Sequence, residues 1–283
     1  MRKRNSWLGT VALLVMMAAT ALNAQDDWKT FRGEIDDYYY YLARPEVENF
    51  TYLISSEAYI NYVRTVGDST HFYPVKFIWT NGDNRYYALQ SVPAGTDSLR
   101  RQSLERIQRL KNLHEDILYD FQKFVVRPPA FGIPENAWVS FGKDTVAVRY
   151  SVPGEDVTIQ ETFTRGGQLG RVMWKMGNQK AVTFPIYREV GNRWLCVGWR
   201  TQKFVDGEVT EGLVYELEQV RQGERWVPIQ LNIVVQSQDP RSEKVLTGMY
   251  KLYIKGFAFN ADIREVTEPQ AKEGGAPPPP PAQ

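Results

Sequence analysis

The sequence predicts an α+β fold: a curved antiparallel β-sheet, forming an open half-barrel, covered by two or three helices. Three features of the 283-residue chain predict it. A strong helical period runs over residues 96–125, and a second runs over residues 26–42. After Pro134 the pattern changes to alternation, and turn dipeptides recur too closely for helices to intervene.

Along residues 26–42, Trp28, Phe31, Ile35, Tyr38, Tyr39 and Leu42 share one helical stripe, Asp26 or Asp27 can cap the start, and Pro45 lies beyond the end. A short strand follows over residues 50–54. Residues 56–66 read as a short helix opened by Ser55 or Ser56. Residues 75–80 and 85–92 flank Asn81-Gly82-Asp83-Asn84, the strongest short-range hairpin signal because Asn and Gly tolerate positive φ. In the long helix, Leu99, Leu104, Ile107, Leu110, Leu113 and Ile117 begin an apolar stripe that runs to Phe124. Arginines, lysine and acids fill the other face, His114 among them as a surface residue, and Pro128-Pro129 stops the helix.

The remaining chain reads as an antiparallel meander. Turns are expected at Pro153-Gly154, Gly166-Gly167, Gly177-Asn178, Gly191-Asn192, Asp206-Gly207, Gly223-Glu224 and Asp239-Pro240. In residues 226–236, Val227, Ile229, Leu231, Ile233 and Val235 share one face. In residues 245–259, Leu246, Tyr250, Leu252 and Ile254 do the same, so one sheet face is apolar and the other wet. In residues 193–204, alternation sends Trp194 and Cys196 one way and Leu195, Val197 and Trp199 the other. Gly191-Asn-Arg-Trp194 recurs as Gly223-Glu-Arg-Trp226, which reads as one hairpin solution used twice.

Composition bounds the function. Hydrophobic residues at 43% and charged residues at 24% are those of a globular protein, not of a disordered, fibrous or multi-span membrane chain. The formal net charge of +1 carries no basic footprint for nucleic acid. The single cysteine, Cys196, excludes an internal disulfide and reads as a buried strand residue. Aromatic residues, at 13%, are the unusual component.

Residues 1–24 read as a secretory signal peptide. Arg2-Lys3-Arg4 precedes an apolar run shorter than the roughly 20 residues of a spanning helix, with small-residue cleavage sites after Ala21 and Ala24. Removing those three cations turns the net charge from +1 to −2. The expected product is a soluble periplasmic protein without a transmembrane span. Residues 25–266 then form a single α+β domain, and residues 267–283, with Pro277 to Pro281, a disordered proline-rich tail.

No nucleophile elbow, zinc-protease, P-loop or dinucleotide-binding motif is present. Two histidines leave little for a metal site or triad. Glu155-Asp156 and Glu216/Glu218 read as solvated charge rather than as a glycosidase pair. The chain is therefore expected not to be an enzyme and to need no cofactor or metal.

An exported chain, an N-terminal helix, a helix between groups of strands and the late turn Gly223-Glu-Arg-Trp226-Val-Pro228 together resemble the outer-membrane lipoprotein-sorting superfamily. The resemblance is strongest over residues 139–263. It implies an unclosed barrel around an apolar cavity that receives acyl chains. The expected function is thus a carrier or sensor that binds an acyl lipid or lipoprotein. Apolar neighbours in strands nominate Trp79, Trp138, Trp174 and Trp199 as cavity lining, and the helix stripe adds Tyr38 and Tyr39. The competing expectation is an envelope protein-interaction or structural module with a filled core, its contacts made by strand edges and the proline tail.

Overall fold

The computed structural model describes residues 27–67, 69–82, 84–238 and 245–263. The segments read as a signal peptide and a proline-rich tail, and the expected turn at Asp239-Pro240, lie outside these residues. Twelve strands form one antiparallel sheet in the order β3-β2-β1-β12-β11-β10-β9-β8-β7-β6-β5-β4, with β3 and β4 as unjoined edges. The strands are β1 (Asn49–Ser56), β2 (Val75–Thr80), β3 (Arg85–Leu89), β4 (Trp138–Phe141), β5 (Thr145–Ser151) and β6 (Thr158–Thr164), then β7 (Leu169–Met176), β8 (Gln179–Val190), β9 (Arg193–Val205), β10 (Glu208–Gln222), β11 (Arg225–Gln238) and β12 (Val245–Phe259).

The chain enters this sheet in its middle. Strand β1 pairs with β2 on one side and with the last strand, β12, on the other, with Phe50 opposite both Trp79 and Phe259. Every pair of neighbouring strands except β1 and β12 is consecutive in sequence, as the meander of turn dipeptides predicts. Gly191 and Gly223, at φ 61° and 62°, make the two matching hairpins, where only glycine adopts a left-handed turn without cost.

Three helices cover the sheet: α1 over residues 27–35, α2 (Glu57–Thr65) and α3 (Asp97–Phe121). Ser56 caps α2 by accepting the N–H of Tyr59, and Thr96 caps α3 by accepting that of Leu99. Helix α3 leaves from edge strand β3 and returns to edge strand β4. Its 25 residues, about 37 Å long, therefore link the two edges of the sheet. It ends in a π-helical turn, Gln122–Val126, that buries Phe124, Val125 and Val126 in succession. The carbonyls of Val125 and Val126 accept the N–H groups of Leu42 and Ala43.

One apolar core runs from Trp28 and Ile35 of α1, through Phe50, Phe77 and Trp79 of the N-terminal strands, to Leu231 and Ile254. Phe31 packs edge-on to Phe141 and Phe163, which fixes α1 over β4 and β6.

The structure corrects four expectations. Helix α1 stops at residue 35 and passes through the 3-10 turn Asp36–Tyr38 instead of running to Leu42, because Tyr39 bridges to Trp194 of β9 and Tyr40 donates to the Trp194 carbonyl. His114 is buried, not superficial. It falls four residues after Leu110 on the apolar stripe, and its two ring nitrogens meet the hydroxyls of Tyr52 (2.9 Å) and Tyr87 (2.8 Å). In β9 the register shift opposite Ile186 and Tyr187 puts Val197 between paired residues, so Cys196 and Trp199 share the core face. A bulge opposite Gln219 likewise turns Ile229 outward, and Leu246 and Tyr250 lie exposed where β12 runs past the core.

Candidate functional site

Direct cross-strand partners share a sheet face, so the registers give the inner surface row by row. One row reads Ile159, Trp174, Ala181 and Lys203 across β6 to β9; the next contains Val172, Thr183, Thr201 and Leu213. Trp199 and Tyr215, stacked at 4.8 Å, head a third. Opposite these rows stand Asp116, Tyr119, Asp120 and Lys123, which recur at the three- and four-residue spacing of one helical face.

The space between is a two-lobed cleft. One lobe, of about 580 Å³, lies over Trp174, Thr183, Thr201 and Tyr215, with Asp116 and Asp120 above. The other, of about 430 Å³, lies between Lys123, Phe131, Pro134 and Tyr150. Tyr119, Val152 and Ile159 line both, and Tyr119, 54% exposed, stands at the junction. A separate groove of about 600 Å³ runs on another side of α3, between α2 and the exposed start of β12 at Met249 and Tyr250.

Two carboxyls border the cleft, one from the sheet and one from α3. Glu161, wholly buried on β6, accepts from Lys123 Nζ at 2.8 Å and from the Tyr150 hydroxyl at 2.7 Å, while its Oε2 is buried without a partner. Lys123 also donates to the Pro129 carbonyl at 2.6 Å. Burial first, and then the Glu161 charge, hold the Tyr150 phenol far above its ordinary range.

The second carboxyl, Asp120, is enclosed by protein but keeps partial exposure toward its lobe. Burial pushes it up to about 6, against the opposing effects of Thr201, of the Trp199 indole and of Lys203. The one hydrogen bond within reach is long, from Thr201 Oγ1 at 3.4 Å, and Thr201 meets the Thr183 hydroxyl at 2.9 Å. The Trp199 N–H makes no hydrogen bond of its own, so its effect on Asp120 acts over a longer distance. Lys203, the cation whose charge acts on this carboxyl, is paired with Glu211.

The six residues nominated from sequence are not gathered in one place. Trp174 lines the cleft. Trp199 is buried beside it, against Phe124 and Tyr215. Trp79 is buried in the core, stacked on Phe50 at 4.9 Å under the Arg127 guanidinium. Tyr39 is buried too; its hydroxyl donates to the Gly167 carbonyl and accepts from the Leu169 N–H. Tyr38 packs beside Gly167, and Trp138 is 59% exposed on edge strand β4.

The sequence marks the polar residues of the cleft only as breaks in an apolar pattern. Leu113, Ile117 and Phe124 leave Asp120 at the stripe position between them, and Glu161 sits between Ile159 and Phe163 on an otherwise apolar strand face. An acid at a position reserved for an apolar side chain is the signal. Glu155, Asp156, Glu216 and Glu218 are exposed. Among the described residues, no group of three or more His, Cys, Asp or Glu side chains is arranged to hold a metal, and no helix is long and apolar enough to cross a membrane. No protein-family model, curated protein or solved structure matches this chain.

Proposed function

We propose that this protein is a non-enzymatic carrier or sensor of an acyl lipid or lipoprotein, exported to the periplasm, which holds an acyl chain in the cleft between α3 and the inner sheet face. The observation that carries the reading is the cleft itself. Each lobe lies in the roughly 300–1,000 Å³ range of small-molecule sites. Val152, Ile159, Trp174 and Leu213 offer a chain apolar contact, and Tyr119 divides the path so that a chain bends around one ring. The resemblance to the lipoprotein-sorting superfamily, carried by the exported chain, the helix between groups of strands and the turn Gly223 to Pro228 together, supports an open sheet with such a cleft more than it supports a particular ligand. The volume differs from a central cavity, since the core from Trp28 to Ile254 is packed and the cleft opens over β5 to β10 instead.

That packed core and the two unjoined edges, β3 and β4, favour the second reading, an interaction or structural module of the envelope. Native mass spectrometry of the exported protein, purified without detergent, separates the two. The carrier reading predicts adducts with the masses of acyl lipids that are released by organic solvent. A clean polypeptide mass, together with no tryptophan response to added fatty acid, assigns the protein to the module class.

A further inference from the structure

The lobe around Asp120 differs chemically from its neighbour. Three carboxylates line it, Asp116, Asp120 and Glu155, beside one cation, Lys203, which is already paired with Glu211. Its walls are aromatic: Tyr119 and Trp174 line it, and Tyr215 closes one side, held against Trp199. Among the described residues, the Asp120 carboxyl makes no ion pair and takes one long hydrogen bond. In the other lobe the cations are already engaged. Lys123 is paired with Glu161, and the Arg127 guanidinium donates to Asn81 and lies between the rings of Trp79 and Phe131.

We infer that the Asp120 lobe is an ammonium-binding site, so that the ligand is an amphiphile with a cationic amine head whose chain runs past Tyr119 into the Lys123 lobe. The inference deepens the carrier reading and rests on it. A carboxylate shielded from water and lacking a counter-ion is costly until a cation reaches it. Aromatic faces around such a cation add attraction through their quadrupoles, the arrangement that recognises alkylammonium groups. An anionic head in the same place faces Asp116, Asp120 and Glu155 together. Thr183 and Thr201, buried on the floor, supply hydroxyls that accept from a primary amine. The Lys123 lobe, with Phe131, Pro134 and Ile159 on its walls, takes the chain.

Three dodecyl amphiphiles test this with the whole mature chain: dodecylamine, dodecanoate and dodecanol. Each is titrated below its critical micelle concentration, at a pH above that at which Asp120 titrates, and followed by calorimetry and tryptophan fluorescence. The amine should bind about tenfold or more tightly than dodecanoate, with dodecanol between them. Asp120→Asn should erase the preference for the amine and lower amine affinity far more than dodecanol affinity. Glu155→Gln, at an exposed position on the rim, should reduce the preference about twofold in a chain whose core is untouched. Equal affinities, a preference for dodecanoate, or a preference that Asp120→Asn leaves in place overturns the site while leaving the carrier reading intact. Failure of all three compounds to bind overturns both.

Discussion

Lys123 and Glu161 form a buried ion pair, Nζ to Oε1 at 2.8 Å, that ties the π-helical turn at the end of α3 to the inner face of β6. Glu161 is fully buried and Lys123 nearly so. Removing one partner strands the other charge away from water, at a cost of about 3–5 kcal/mol, whereas replacing both with apolar groups of similar volume is close to neutral. Glu161→Gln is therefore expected to destabilise the protein by that amount in urea unfolding, and Lys123→Met with Glu161→Leu to recover most of it. A loss below about 1 kcal/mol for the single substitution would place the pair in a far wetter environment than the fold gives it.

Two buried titratable groups pull stability in opposite directions on acidification. Burial lowers the His114 imidazole from its ordinary 6.5 to about 3. The unfolded chain then takes up that proton first, and stability is lost as the pH falls from about 6.5 toward 3. Burial raises the Asp120 carboxyl from 3.8 to about 6, so the folded chain takes up that proton first and gains stability as the pH falls through 6 toward 3.8. Each partly hides the other. Asp120→Asn removes the gain and should expose an acid-side loss of about 2 kcal/mol between pH 7 and pH 5, read from denaturant midpoints. An equally shallow profile in both proteins refutes the assignment of His114.

Cys196 lies in the core face of β9, and burial pushes its thiol up to about 12. A thiol with so little thiolate and no access reacts slowly. Ellman's reagent is expected to leave the native protein unmodified over an hour and to titrate one thiol in denaturant. Rapid native modification would mean that β9 opens.

Gly198 follows the bulge of β9 against β8 and pairs with Glu216 of β10. A Cβ there would run into the backbone carbonyl of Tyr215, which cannot swing aside as a side chain could. Gly198→Ala is expected to cost about 2–4 kcal/mol, while Gly170→Ala on β7, whose Cβ meets only an ordinary 3.7 Å contact, stays within about 0.5 kcal/mol. Thermal melts of the two variants compare them directly.

Much of the sheet was legible because its signals are local. Asn81-Gly82 and each described turn between β5 and β11 announce themselves, and the stripe of α3 needs no tertiary information. What was not legible depends on contacts between distant residues. Tyr38, Tyr39 and Leu42 keep a helical period, yet the pairing of Tyr39 with Trp194, 155 residues away, ends the helix. Alternation marks Trp138 as a strand residue but does not show that β4 is an edge. His114 and Asp120 both lie on the stripe of α3, and only their partners distinguish a satisfied core histidine from a half-buried acid at a cleft. Tryptophan content pointed to buried volume in general; the cleft is marked instead by acids at apolar positions.

The most direct test of the central claim is a titration of the protein with a fluorescent acyl-chain probe, wild type against Val152→Trp. Val152, half-buried at the edge of the core, lines both lobes from the loop after β5, so an indole there narrows the cleft. The account predicts saturable binding at one site in the wild type, quenching of tryptophan fluorescence by the bound probe, and at least a tenfold weaker affinity in the variant with unchanged melting. No saturable binding, or equal affinity in both proteins, would contradict it.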